Sequence, residues 1–144
     1  QRQMCIRDSA SSAFLKGMLA GGVEGTVKHF PGLGRIRNNT DFSSTGITDD
    51  VTDADDPFLK PFTAGVKAGA GLVMVGSARY SKLDPKVPAM FSAPIVTDLL
   101  RGDLGYDGVV ITDDVHDKAV RSTPAAQRAV PYRGGAPNRA SHSR

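Results

Sequence analysis

Apolar residues cluster in three short runs that are bounded by glycine, proline or polar residues. The runs lie at residues 26–30, 72–75 and 109–112, and the last two consist almost wholly of Val, Leu, Met and Ile. Short, nearly continuous apolar runs are typical of parallel strands that are buried on both faces. The pattern therefore predicts three buried strands.

The segments beside these strands have apolar residues at helical spacing. In the clearest of them, Phe58, Leu59, Phe62 and Val66 share one face of a helix. Each predicted helix begins at a capping residue or an early proline and ends near a glycine or proline. The predicted helices cover residues 11–21, 55–69, 92–102 and 123–131.

This alternation of strands and helices predicts an α/β fold built from right-handed β-α-β units around a parallel sheet. Three consecutive strand-helix units fit either a doubly wound sheet or part of a (β/α)₈ barrel. A complete barrel needs about 250 residues, and this chain has 144. The barrel interpretation therefore predicts a partial (β/α)₈ barrel.

The two ends of the chain differ from its middle. Residues 1–9 show no periodicity and resemble a translated adapter sequence, so we expect them to be irregular and outside the fold. Residues 131–144, which are rich in Arg, Gly and Pro, resemble a frameshifted tail and should also be irregular. The folded domain is expected within residues 10–130, with polar loops at residues 34–55 and 76–88.

Composition narrows the classes of protein. Charged residues make up 23% of the chain and hydrophobic residues 40%, as in globular domains. The net charge of +3 comes largely from arginines near the ends, and because no helix has a basic stripe we do not expect nucleic-acid binding. The single Cys5 excludes an internal disulfide and a cysteine-based metal site, and no apolar run reaches the ~18 residues of a membrane span.

Side chains that can act in catalysis or binding lie within or directly after two of the predicted strands. Asp113 comes directly after the third strand, while Lys28 and His29 lie in the first. Because the carboxyl ends of parallel strands meet at one edge of a sheet, we expect a shared site there. Other interpretations stay open. Asp113 or Asp114 could cap a turn, and strand alternation turns either Lys28 or His29 away unless the strand ends at Lys28.

Three other motifs do not support a site. The Gly-Leu-Gly sequence at residues 32–34 lacks the third glycine of a phosphate-binding loop. The acidic run at residues 49–56 lacks the central Gly and the terminal Glu of a calcium loop. His116, with Asp114 and Asp117, lacks the spacing of a metal site, and we expect these residues at the surface.

Five segments occur in an order and at a spacing typical of one enzyme family. They are KHFPGLGR from Lys28, NTD from Asn39, VMVGSA from Val73, LDPKVPAMFS from Leu83 and LLRGDLGYDGVVITDDV from Leu99. Together they resemble glycoside hydrolase family 3 over roughly residues 12–130. The final Thr-Asp-Asp, in place of the Ser-Asp-Trp typical of the family's β-glucosidases, resembles the β-N-acetylhexosaminidase branch.

The resemblance implies a fold and a chemistry. The family fold is a (β/α)₈-like barrel, of which this chain would supply about three strand-helix units, so the isolated chain should be inactive. The implied activity is retaining hydrolysis of terminal β-linked N-acetylglucosamine in a glycan or cell-wall fragment, without a metal or organic cofactor. By resemblance, Asp113 is the nucleophile, and Lys28 and His29 form the pair that hydrogen-bonds the sugar hydroxyls.

The loop after KHFPG departs from the family pattern. Members of this branch carry an Asp-Ser-His triplet whose His is the general acid/base, whereas this chain has Asn39, Thr40 and Asp41 at that spacing. A carboxylic acid can protonate a leaving oxygen when burial or a neighbouring carboxylate raises its pKa, so Asp41 is a candidate substitute. Alternatively the acid lies elsewhere, the protein binds sugar without catalysis or in a regulatory role, or it is a β-glucosidase of the same family.

Overall fold

The computed structural model describes residues 2–129 of the chain. The helices are α1 (Arg2–Ala20), α2 (Lys60–Lys67), α3 (Pro124–Ala129), a π-helix (Pro94–Asp103) and two 3₁₀ turns (Pro57–Leu59 and Ala89–Phe91). The strands are β1 (Thr26–Phe30), β2 (Thr48–Asp49), β3 (Leu72–Val75), β4 (Arg79–Tyr80) and β5 (Val109–Thr112).

The main sheet contains three strands in the order β1-β3-β5, and both neighbouring pairs are parallel. β3 pairs with β5 without a register shift, from Leu72 opposite Val109 to Val75 opposite Thr112. All three strands lie where the apolar runs predict them, with helical segments between them. The prediction of an α/β fold with parallel strands is therefore confirmed.

Two further strands lie in segments that the sequence predicts to be loops. β2 and β4 pair in parallel as a separate two-stranded sheet. The loop prediction is wrong at these positions because each strand has only two residues, too few for an alternating pattern to mark it. The pairing of β2 with β4 connects the polar segment after β1 to the segment after β3.

The first helix begins well before the predicted start at residue 11. α1 runs from Arg2 to Ala20, so the expectation of an irregular conformation at residues 1–9 is wrong for residues 2–9. Once a helical turn exists, each added residue gains a hydrogen bond at little extra cost, and nothing in this stretch stops the helix. The predicted irregular tail at residues 131–144 lies outside the described residues. Among residues 2–129, no helix is both long enough and apolar enough to cross a membrane.

The caps predicted for the later helices are present. The carboxylate of Asp56 accepts a hydrogen bond from the Phe58 amide at 2.8 Å, at the start of the 3₁₀ turn that leads into α2. The Ser92 hydroxyl accepts one from the Ile95 amide at 3.3 Å. The helix that follows Ser92 is wider than predicted, because its backbone bonds span five residues, as from Leu104 to Leu99.

The core lies between the sheet and the helices packed on it. The Phe30 and Phe62 rings meet edge to face at 5.3 Å, which joins β1 to α2. A Cβ at Gly65 would lie 2.7 Å from Val27, so only glycine lets α2 pack this closely on β1. The largest fully buried core side chains include Phe30, Val73, Val75, Tyr80, Ile95 and Leu100. Among the described residues, β1 and β5 each pair with β3 alone, so the main sheet is open at both edges there.

Candidate active site

The carboxyl edge of the main sheet carries a pocket of about 550 Å³. The Asp113 amide donates to the Val75 carbonyl at 2.9 Å, so Asp113 continues the pairing of β5 with β3 and stands at this edge. The pocket brings together all four residues singled out in the sequence: Lys28, His29, Asp41 and Asp113. Its other lining residues are Leu33, Ile36, Arg37, Asn38, Asn39 and Thr40.

The Asp113 carboxylate is fixed on one side and faces His29 on the other. Its Oδ1 accepts a hydrogen bond from the Asp114 amide at 3.0 Å. Its Oδ2 lies 3.8 Å from His29 Nε2, farther than a hydrogen bond. The side chains of His29 and Asp113 are 27% and 18% exposed, so both are shielded yet open to a ligand in the pocket.

Lys28 and His29 line the same pocket although they are neighbours in β1. Strict alternation would turn one of them away, but the pairing with β3 shifts between Val27 and Phe30, so regular alternation is interrupted at these two residues. Three steps along β1 lie opposite two steps along β3, which is the geometry of a β-bulge, and bulges re-aim side chains. The Lys28–His29 and Phe30–Pro31 peptide bonds are both cis.

The backbone around this bulge is closely supported. A Cβ at Gly76 would lie 3.2 Å from His29 Cβ, so glycine lets the end of β3 approach His29. The buried Tyr80 hydroxyl donates to the Gly32 carbonyl at 2.7 Å and holds the turn after β1. Burial raises the pKa of Tyr80, with a smaller contribution from the negative charge of Asp49.

Asp41 reaches the pocket from the loop between β1 and β2. Its amide donates to the Asn39 side-chain oxygen at 2.7 Å, which closes a short turn. The carbonyls of Thr40 and Asp41 accept from the amides of Ala119 and Lys118 at 3.0 and 3.1 Å. Asn39 therefore shapes the loop, and the Asp41 side chain is exposed at the pocket.

The acidic run at residues 49–56 forms the support of this loop. Arg35 donates to Asp56 at 2.6 Å and to the Thr52 hydroxyl at 2.7 Å, and its guanidinium stacks 4.0 Å from the Phe58 ring centre. The hydrogen bond from Arg35 holds the pKa of Asp56 below its ordinary value. Burial alone would raise the pKa of Asp49, but hydrogen bonds from Thr52 and Val51 outweigh it, so that pKa is also lowered.

A further carboxylate, that of Asp117, is buried and does not line the pocket, contrary to the position expected from the sequence. Asp117 is 6% exposed, so its predicted surface position is wrong, whereas His116 and Asp114 are each about half exposed, as expected. The buried Ser77 hydroxyl donates to Asp117 Oδ2 at 2.9 Å. Burial raises the pKa of Asp117, the Ser77 hydrogen bond lowers it, and the charges of Asp113, Asp41 and Asp114 raise it further. No sequence pattern marks a contact across 40 positions.

Metal-ligating side chains do not cluster in the part of the chain that is described. Among residues 2–129, no group of three or more His, Cys, Asp or Glu side chains is placed to hold an ion. The four pocket residues named above are suited instead to proton transfer, nucleophilic attack and hydrogen bonding to a polar ligand.

Comparisons with known proteins show what this chain is similar to. Residues 5–132 match the model of the glycosyl hydrolase family 3 N-terminal domain. A β-hexosaminidase of Xylella fastidiosa (strain M23) is 38% identical over 111 residues, which make up 77% of this chain and 33% of the relative. The chain thus spans about a third of the length of that relative.

Two solved structures are similar in fold and sequence. A β-N-acetylhexosaminidase from Beutenbergia cavernae DSM 12333 matches with a TM-score of 0.73 and 55% identity, over 77% of this chain and 32% of that one. A family 3 β-N-acetylglucosaminidase from Paenibacillus sp. str. FPU-7 matches with a TM-score of 0.68 and 31% identity, over 78% of this chain and 22% of that one.

Proposed function

This chain belongs to glycosyl hydrolase family 3, and from that premise we propose that it is part of a glycosidase that releases terminal β-linked N-acetylglucosamine with retention of configuration. The names of its relatives support this substrate class. The observation that carries the proposal is the single pocket shared by Lys28, His29, Asp41 and Asp113. Two carboxylates and two donors are the groups that double displacement at a sugar requires.

In the proposed first step, Asp113 Oδ2 attacks the anomeric carbon while the bond from that carbon to the leaving oxygen breaks. The Asp41 carboxyl donates its proton to the leaving oxygen, and a glycosyl ester of Asp113 forms. In the second step Asp41 removes a proton from water, which attacks the anomeric carbon and releases Asp113. Neither step consumes a cofactor. Retaining enzymes hold these carboxyls about 5–5.5 Å apart, and we expect that separation in the substrate complex.

Lys28 and His29 have a separate role in this proposal. They donate hydrogen bonds to the sugar hydroxyls, and such bonds strengthen as the oxocarbenium-like transition state develops. His29 Nε2 and Asp113 Oδ2 lie 3.8 Å apart without a hydrogen bond between them, and both residues line the pocket, where a sugar can contact them together.

We also propose that the active unit is a complete (β/α)₈ barrel. β1 and β5 each have only one partner within residues 2–129, and Val109 on β5 is 57% exposed. Open edges of a parallel sheet are covered or paired in stable proteins. Further strand-helix units would pair with these edges and complete the sugar site, so the 144-residue chain alone should not turn over substrate.

The test uses the full-length protein that contains this chain. It should hydrolyse an aryl β-N-acetylglucosaminide faster than the matching aryl β-glucoside, with the β-anomer of the sugar as first product. Asp113→Asn should remove this turnover. A preference for the glucoside would favour the β-glucosidase alternative, and an initial α-anomer would contradict retention.

A non-catalytic sugar-binding role is the second candidate. The observation that favours it is the sequence Asn39-Thr40-Asp41 at the place where the family branch carries the triplet with the catalytic His. If it is correct, the full-length protein binds N-acetylglucosamine in calorimetry but releases no product from the aryl glycoside. Turnover that depends on Asp113 would exclude it.

A further inference from the structure

Ser77 and Asp117 form a buried link between the sheet and the segment that follows β5. Ser77 lies two residues after the end of β3 and is fully buried, and Asp117 is 6% exposed. The Ser77 hydroxyl donates to Asp117 Oδ2 at 2.9 Å. Hydrogen bonds of a hydroxyl to a buried carboxylate are strong, because neither group can turn to water instead.

Asp117 also sits at the centre of a compact turn. Its amide donates to the Asp114 carbonyl at 3.0 Å, and its carbonyl accepts from the amides of Val120 and Arg121 at 3.0 and 2.9 Å. These bonds fix the backbone on both sides of Asp117. The amides of the next two residues, 118 and 119, therefore have a set direction.

Those two amides hold the loop that carries the candidate acid/base. Lys118 donates to the Asp41 carbonyl at 3.1 Å, and Ala119 donates to the Thr40 carbonyl at 3.0 Å. A path thus runs from Ser77 to the Asp117 side chain by a hydrogen bond, along the backbone to residues 118 and 119, and by two hydrogen bonds to the backbone of Thr40 and Asp41. Asp117 does not line the pocket, so a ligand there does not contact it, and its hydrogen bonds reach the pocket only through other residues.

We propose that Asp117 is a positioning residue, which with Ser77 holds the turn at residues 114–121 so that the turn keeps Asp41 over the pocket. The proposal rests on the proposed glycosidase function and extends it. Without the link, the turn and the Thr40-Asp41 backbone lose one hydrogen-bonded attachment to the segment after β3. The nucleophile keeps its place, because Asp113 is bonded to Val75 of β3 directly.

The test is a leaving-group comparison in the full-length protein. Aryl N-acetylglucosaminides with a poor leaving group need a proton from the acid, whereas those with an activated leaving group do not. A residue that positions Asp41 therefore affects kcat/KM of the poor substrate selectively. General acid catalysis is worth about 10²–10⁴-fold, so we expect Ser77→Ala and Asp117→Ala to cost at least about tenfold more on the poor substrate than on the activated one.

Two variants separate positioning from general damage to the fold. Asp117→Asn keeps an oxygen that can accept from Ser77 and should retain most of the activity on the poor substrate. Ser92→Ala removes a matched buried bond, from the Ser92 hydroxyl to Asp84 at 2.7 Å, between two residues that do not line the pocket. It should lower both substrates by the same factor or neither.

Each outcome decides the proposal. The proposal is supported if Ser77→Ala selectively loses activity on the poor substrate while Asp117→Asn retains it. This holds even if Asp117→Ala fails to fold. Equal loss on both substrates, or no loss, overturns the positioning role while the glycosidase function stands. A wild-type protein that hydrolyses neither substrate overturns the proposed function itself.

Discussion

The two carboxylates of the pocket are held by different kinds of backbone. Asp113 directly follows β5, and its amide extends the parallel pairing by bonding to Val75 of β3. Asp41 lies in the long segment between β1 and β2, where a side-chain turn and two backbone bonds to residues 118–119 hold it. The proposed nucleophile thus belongs to the sheet, whereas the proposed acid belongs to a loop that depends on distant anchors.

This difference has a functional consequence. A nucleophile must act on every substrate, so its position has to survive thermal motion of the loops. The rate depends on the acid/base more strongly when the leaving group is poorer. The acid/base can therefore lie on a loop that moves into place when the substrate binds. Changes at the sheet edge should therefore affect all substrates alike, whereas changes to the loop or its anchors should discriminate among leaving groups.

The largest effect is expected at Asp113. Asp113→Asn removes the attacking oxygen charge and should lower kcat/KM on the order of 10⁴-fold for every leaving group. Asp114→Asn is a matched control, because its exposed side chain is adjacent while the backbone amide that bonds Asp113 stays in place. If Asp114→Asn lost as much activity as Asp113→Asn, the effect could not be assigned to the Asp113 carboxylate at the sheet edge.

The next effect is expected at Asp41. Asp41→Asn should lower kcat/KM about 10²–10⁴-fold for a poor leaving group and spare an activated aryl glycoside in the glycosylation step. Added azide should raise kcat on the activated substrate, because azide attacks the glycosyl ester without a general base. An equal loss on both substrates would mean that Asp41 only shapes the loop.

A smaller effect is expected at the two donors beside the bulge. His29→Ala and Lys28→Ala should each lower kcat/KM by about 10- to 100-fold, since hydrogen bonds to charged groups are worth about 1.5–3 kcal/mol. Because both residues belong to the sheet edge, the loss should not depend on the leaving group. A leaving-group dependence as steep as that of Asp41→Asn would place them in proton transfer instead.

The smallest effect concerns the anchors of the loop and their response to acid. The pKa of Asp56 is lowered by Arg35, so its contribution to stability is present above the ordinary Asp pKa and is lost as the pH falls below about 4. Asp56→Asn should cost about 1–2 kcal/mol of unfolding free energy at pH 7 and weaken the pH dependence below 4. Urea unfolding at pH 7 and pH 3 measures both. Asp55→Asn, at an exposed neighbour, is the control.

The sequence is sufficient to predict the main sheet and the site residues that lie at its edge. The apolar runs locate β1, β3 and β5, and parallel pairing then places Asp113 near Lys28 and His29 at one edge. The bulge at Lys28 and His29, both of which line the pocket, depends on the register against β3. No pattern within five residues of one strand can show that register.

For the loop that carries Asp41, the sequence predicts only the residues that belong to the family motif. The segment NTD indicates that Asp41 belongs to the site, but its anchors are contacts across long stretches of chain. The acidic run lies at the end of a predicted polar loop and the start of a predicted helix, and it supplies Asp49 and Asp56 as buried or half-buried acceptors. The burial of Asp117 could not be predicted, because its partner Ser77 lies 40 positions away and no local sequence pattern indicates that contact.

The central claim is that Asp113 forms the covalent intermediate. A fluorinated N-acetylglucosaminide with an activated leaving group slows breakdown of the glycosyl ester, so the ester accumulates and can be found by mass spectrometry of the digested full-length protein. We expect one sugar adduct per protein, on the peptide that contains Asp113, and no adduct in Asp113→Asn. An adduct on Asp41, on Asp114 or on a residue outside this chain would contradict the account, as would an undiminished rate of hydrolysis by the Asp113→Asn protein.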